Sequence, residues 1–141
     1  LADELHREGM NVIAETNGTI TDERLISRLD GARADVKNFG GEGGEALIKR
    51  YSGFLTACQK FTVPVTLTNV LVPGVNDTEK AIAALKELKK AFPSARGVEF
   101  LPFRKICTNK YAELGLRYPY EDKREATKAD LARAEEIFTM A

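Results

Sequence analysis

The sequence predicts an α/β protein built from parallel β/α units. Three observations carry that expectation. Short apolar runs rich in β-branched residues alternate four times with longer runs whose apolar residues recur at helical spacing. Gly, Pro, Asn and Asp gather mostly between these runs. Each apolar run closes on polar residues, and in parallel α/β folds chemistry collects at the carboxyl ends of the strands.

The first segment, "LADELHREG", places Leu1 and Leu5 on one helix face and offers Gly9 as a C-terminal stop. It reads as the last turns of a helix, so a fragment of a longer protein is expected. "MNVIAET" is the first strand, ending in a turn at Asn17-Gly18. "TDERLISRLDG" is a short helix with Thr21 as N-cap candidate and Leu25, Ile26 and Leu29 on one side. "RADVKNF" is the second strand, and "EALIKRYSGFLTACQKF" the helix after it. "VPVTLTNVLVPG" is the clearest strand, closed by Pro73-Gly74. Its helix, "NDTEKAIAALKELKKAF", has Asn76 and Asp77 as cap candidates. "GVEFLPF" is the fourth strand. A polar loop with the short helix "NKYAELG" leads to "ATKADLARAEEIF", for which Thr127 is the expected N-cap.

The chain has 141 residues, enough for one domain that buries roughly two thirds of its unfolded surface. Its 21 basic and 21 acidic residues cancel, so no net field draws it to nucleic acid or an acidic membrane. No apolar run approaches the ~20 residues of a membrane span and no signal-peptide pattern opens the chain, so a cytoplasmic protein is expected. Cys58 and Cys107 stand far apart without a CxxC-type neighbour, which suggests neither a zinc site nor a disulfide framework. Cys58, within a helical run, is expected in the core.

The polar strand ends raise the functional question. Asp35 and Lys37 are two apart on a strand, so they share one face while Val36 takes the other. Burying either charge alone is costly. They form either a structural ion pair at a barrel rim or a pair lining a cleft. Glu15, Thr68, Asn69 and Arg104 stand at comparable positions and can gather at the same mouth. Glu15 with Asn17-Gly18 also reads as turn chemistry, and Arg104-Lys105 as a solvated loop.

In order and spacing, "ETNG", "DVK", "VLVPGVND" and "VEFLPFRKICTNKYAELG" resemble the second half of the radical S-adenosylmethionine activating enzymes. The nearest group is the pyruvate formate-lyase activating enzymes and their relatives acting on other glycyl-radical enzymes. The resemblance implies a partial, TIM-like barrel of six β/α units. Residues 1–141 would be its C-terminal portion, about two thirds of the barrel, with the N-terminal cluster-binding portion absent. It implies S-adenosylmethionine and a four-iron (4Fe-4S) cluster as cofactors, the cluster held by a CxxxCxxC motif that this chain lacks. In the family, cluster reduction cleaves the cofactor to a 5′-deoxyadenosyl radical, which takes hydrogen from a backbone glycine of the partner enzyme. The implied partners are pyruvate formate-lyase or a relative and an electron donor such as flavodoxin or ferredoxin. The fragment alone is expected to be inactive, with the edge of its first strand pairing to another chain.

Carried over by position, Asp35 and Lys37 match an Asp-x-Lys motif beside S-adenosylmethionine, with Asn17, Thr68 and Arg104 also on the cofactor side. Glu15, Thr16 and Asp35 correspond to a monovalent-cation site, Glu15 standing where the family has Asp. Arg104 replaces a family His and Thr68 a family Arg, which points to another glycyl-radical partner or a divergent branch. "GGE" at Gly40–Glu42 copies a family motif for the cofactor's amino group but follows the wrong strand, so Gly40–Gly44 is read as a flexible connection. A non-catalytic α/β module binding a nucleotide or protein, and a radical enzyme acting on a small molecule, are the alternatives.

Overall fold

A computed structural model describes residues 1–140. Four strands, β1 (Ile13–Thr16), β2 (Gly31–Asp35), β3 (Val65–Leu71) and β4 (Ala95–Pro102), form one parallel sheet in the order β1-β2-β3-β4. The helices are α1 (Ala2–Arg7), α2 (Glu23–Ile26), α3 (Gly44–Lys60), α4 (Glu79–Ala91), α5 (Thr108–Glu113) and α6 (Lys128–Met140). Strand order follows chain order without reversal. Crossovers of one hand therefore keep the connecting helices on one side of the sheet and leave the other side bare. The result is a parallel α/β sheet, as the alternation predicts, and an arc consistent with the partial barrel that the resemblance implies.

Strand periodicity sorts the residues between the two sides. Ala32, Ala34, Val36, Val65, Leu67 and Leu71 are all buried on the helix side. They meet Leu47, Tyr51, Phe54, Leu55 and Cys58 of α3, spaced to form one helix stripe, and Ile82, Leu85 and Leu88 of α4. α6 closes the end of this core, with Phe138 edge-on to Phe100 at 6.0 Å between ring centres. On the bare side the register aligns Glu15 with Arg33 and Asp35 with Thr68 and, through Thr68, with Glu99. A smaller apolar cluster, Val72, Phe103 and Ala126 with Tyr118 and Tyr120 against it, covers the carboxyl ends of β3 and β4. No helix among the described residues is long and apolar enough to cross a membrane.

Several local details differ from expectation. Asp22, not Thr21, caps α2 by accepting from the Arg24 and Leu25 amides. Thr78 caps α4, because Asn76 is turned inward onto Val72 and Val70 and Asp77 accepts from the Gly74 amide in the preceding turn. Thr127 holds α6 as expected, in a reciprocal box with Asp130. The second strand begins at Gly31, two residues before "RADVKNF", and its ladder stops after Val36, whose amide reaches Thr68 O at 2.7 Å.

The connection at Gly40–Gly44, expected to be a flexible link, is anchored at its first residue. Buried Asn38 donates to Ala81 O at 2.8 Å and accepts from the Gly40 amide at 2.9 Å. Gly40 has φ +78, and a Cβ there would overlap the Val75 carbonyl oxygen. Glycine is required by this close packing rather than by freedom to move.

Candidate functional site

The second strand leaves the sheet at a point secured from the helix layer. The Tyr51 hydroxyl accepts from the Lys37 amide at 2.8 Å and donates to Asp35 O at 3.4 Å. Arg50 donates to Lys37 O at 2.8 Å and pairs with Glu42. Asn69 donates to Val36 O at 2.8 Å, and its own carbonyl oxygen accepts from Asn76 at 3.4 Å. Asn69 and Asn76 are both buried, so a satisfied polar network binds the ends of β2 and β3 together.

This frame sets the two side chains picked out by the sequence. The Lys37 ammonium lies 2.5 Å from Asp35 Oδ2 on the bare side of the sheet. Asp35 Oδ1 is buried and receives no hydrogen bond within the protein. A buried carboxylate oxygen without a donor is costly, so this half of Asp35 is suited to a donor from outside the chain. The charges pair with each other, and Asp35 Oδ1 is left as an open acceptor.

Each member of this pair lines a concavity. One, about 190 Å³, is lined by Glu15, Thr16, Arg33, Asp35, Thr68 and their neighbours. The other, about 280 Å³, is mostly apolar and takes Lys37, Phe39, Val70, Val72, Phe103 and Tyr120 into its wall. Asp35 lines the first and Lys37 the second, so the ion pair stands between them. The combination suits a ligand with an apolar or planar part and a compact polar head.

The remaining predicted residues are distributed unevenly. Glu15 and Thr68 share the smaller cavity with Asp35, although the Glu15 side chain is largely exposed. The Thr16 hydroxyl accepts from the Gly18 amide, and Asn17 Oδ1 accepts from both the amide and hydroxyl of Thr19. Asn17 therefore does turn work here. Arg104 donates to Ala126 O at 2.9 Å and lies 3.4 Å from Glu125, tied to the segment before α6 and in the wall of neither cavity.

Sequence reasoning missed three groups. Arg33 is one, although the strand period puts it on the face of Asp35 and Lys37; its guanidinium lies 3.5 Å from Glu15 and 2.6 Å from Glu99. Tyr51 is another, its apolar body hidden in the α3 stripe. The aromatic wall is the third, Phe103 stacking on Tyr118 at 6.4 Å with Tyr120 edge-on. Burial, with the nearby Cys107 thiol next, pushes the Tyr118 phenol above its ordinary value.

The cysteines do not fit a cluster. Cys58 is fully buried in the core, where burial pushes its thiol up to about 11. Cys107 is exposed, and two such distant thiols cannot supply three cluster ligands. No three His, Cys, Asp or Glu side chains among the described residues are grouped to hold a metal ion.

Fold and site together define an arc of parallel β/α units with paired charges at its strand tips. In sequence the chain is similar to activating enzymes of the glycyl-radical lyases, the group that its strand-end motifs resemble. It is 25% identical over 119 residues to a pyruvate formate-lyase-activating enzyme of Streptococcus mutans, covering 82% of this chain and 45% of that protein. It is 39% identical over 57 residues to an isethionate sulfite-lyase activating enzyme of Desulfovibrio desulfuricans, covering 40% of this chain and 18% of that one. The chain thus spans less than half the length of these relatives. A solved domain of a pyruvate-formate lyase-activating enzyme from Bacteroides vulgatus shares the fold, with a TM-score of 0.63 and 14% identity over 99% of this chain and 83% of that one. No family model matches.

Proposed function

We propose that this chain is the part of a glycyl-radical-enzyme activase that presents S-adenosylmethionine to its partner. The observation carrying the reading is the orphaned Oδ1 of Asp35, whose Oδ2 pairs with the Lys37 ammonium, each residue lining its own cavity. S-adenosylmethionine brings an ammonium and ribose hydroxyls that can donate to Asp35. Its carboxylate and hydroxyl oxygens can accept from Lys37, and its adenine is a flat apolar surface suited to Val70, Val72 and Phe103. The residues present therefore fit this cofactor.

Asp35 and Lys37 would hold S-adenosylmethionine, which with a reduced four-iron cluster would supply radical hydrogen-abstraction chemistry. The chain's own residues bind and orient. Asp35 and Lys37 fix the polar head, the Tyr51 and Asn69 network holds both strand tips, and the apolar wall of the larger cavity offers a surface to the adenine. Cys58 and Cys107 do not suit the cluster, so its thiolates would have to come from outside these 141 residues. The partner is a glycyl-radical enzyme, and electrons would come from a flavodoxin- or ferredoxin-type donor. The outer edges of β1 and β4, unpaired among the described residues, suit continuation of the barrel or pairing with another chain.

Calorimetric titration with S-adenosylhomocysteine, which keeps the amino-acid head and nucleoside, tests the reading. Saturable binding that Asp35→Asn weakens at least about tenfold is expected, the size of one charge-assisted hydrogen bond. Unchanged affinity in that variant, or no saturable heat at millimolar ligand, would overturn it.

A further inference from the structure

The resemblance places a monovalent cation among Glu15, Thr16 and Asp35, and these residues do not fit one. Each carboxylate already faces a cation belonging to the chain, and the one buried oxygen left open, Asp35 Oδ1, is a single acceptor where a compact ion needs several. Arg33 Nε lies 3.5 Å from Glu15 Oε1, and Lys37 Nζ lies 2.5 Å from Asp35 Oδ2. The Thr16 hydroxyl is engaged by the Gly18 amide. Arg33 is also anchored from its far side, donating to Glu99 Oε2 at 2.6 Å across the bare face of the sheet. Its guanidinium therefore stands in the wall of the smaller cavity, together with Glu15, Asp35 and Thr68.

We propose that Arg33 is a built-in replacement for a bound monovalent cation, holding Glu15 and balancing the negative charge of the smaller cavity. Arginine is suited to this task, since it stays protonated at any working pH and its planar fork can meet two carboxylates at once. A free Na⁺ or K⁺ entering the cavity would have to approach a fixed like charge, which disfavours its binding. The replacement also accounts for Glu15: a carboxylate on a longer stem reaches a guanidinium on the neighbouring strand, whereas a compact ion needs several oxygens converging at short range. Arg33 acts on Glu15 and on the field of the cavity, and is a positioning residue.

The inference rests on the proposed family reading only for where a cation would be expected. Its test does not use the cofactor. Sodium-NMR line widths of the full chain, titrated at constant ionic strength with tetramethylammonium, report a bound ion directly. No saturable broadening is expected for the unaltered chain. Arg33→Met and Arg33→Gln, checked for native circular dichroism, are expected to gain saturable broadening that a second change, Glu15→Gln, removes. In those variants the unfolding midpoint should differ between sodium and tetramethylammonium by more than about 2 °C, and in the unaltered chain it should not. Saturable broadening in the unaltered chain that Glu15→Gln abolishes would overturn the proposal. Absence of ion binding in both folded Arg33 variants would reduce the contact to a surface ion pair and overturn it too. Loss of S-adenosylhomocysteine binding with these outcomes intact would sink the family reading alone.

Discussion

The Tyr51 hydroxyl accepts the Lys37 amide hydrogen at 2.8 Å, joining the middle of α3 to the tip of β2. Tyr51 is buried, so its single polar atom has been carried into the core to meet backbone groups that have left the strand ladder. The same hydroxyl donates to Asp35 O at 3.4 Å and so spans the residue pair of the candidate site.

Tyr51→Phe keeps the apolar volume and removes only this contact. It leaves the Lys37 amide without a partner, which costs about 1–3 kcal/mol. The variant is expected to stay folded, with a denaturation midpoint lowered by that amount. Affinity for S-adenosylhomocysteine should fall as well, because the strand tip gains freedom. Chemical denaturation together with calorimetry checks both, and unchanged stability would remove Tyr51 from the frame.

Gly40→Ala tests the packed turn. The residue would hold φ +78 with a side chain, and its Cβ would meet the Val75 carbonyl, a backbone atom that cannot swing aside. A loss of at least about 2 kcal/mol is expected. Gly41→Ala is a control, as a Cβ there meets nothing within 4 Å. Equal stability of the two variants would return the segment to a flexible link.

Asp130 at the start of α6 makes stability depend on pH. Hydrogen bonds from Arg124, at 2.7 and 2.8 Å, and from Thr127 hold its carboxyl well below the ordinary carboxylate range. A depressed folded-state value means the contribution is full above the unfolded value of about 3.9 and is lost as pH falls below it. The midpoint difference between the unaltered chain and Asp130→Asn should be constant above about pH 5 and shrink below about pH 4. A difference that stays constant down to about pH 2 would show that Asp130 is not held by its charge.

The legible parts of the sequence are those written in local pattern. The alternation of β-branched runs and amphipathic stripes indicated the parallel β/α order, because burial of one face needs only a period of 2 or 3.6. The same period placed Asp35 and Lys37 together opposite Val36, as observed. The cap of α2 was expected at Thr21 and falls on adjacent Asp22, since both side chains can accept an amide and only the backbone path selects one.

Sequence alone therefore determined the element order, the face of the strand-end charges and the resemblance to the lyase-activating enzymes. Tertiary structure decided how those charges are partnered. Arg33 meets Glu99 across 66 positions of chain, and Tyr51, Asn69 and Asn76 become the frame of the strand tips only once helix and sheet close together. The physical reason is range. Side-chain periodicity is set by neighbours along the backbone, whereas the choice of which carboxylate oxygen is satisfied and which is left open depends on groups that only the folded chain brings within 3 Å or so of one another.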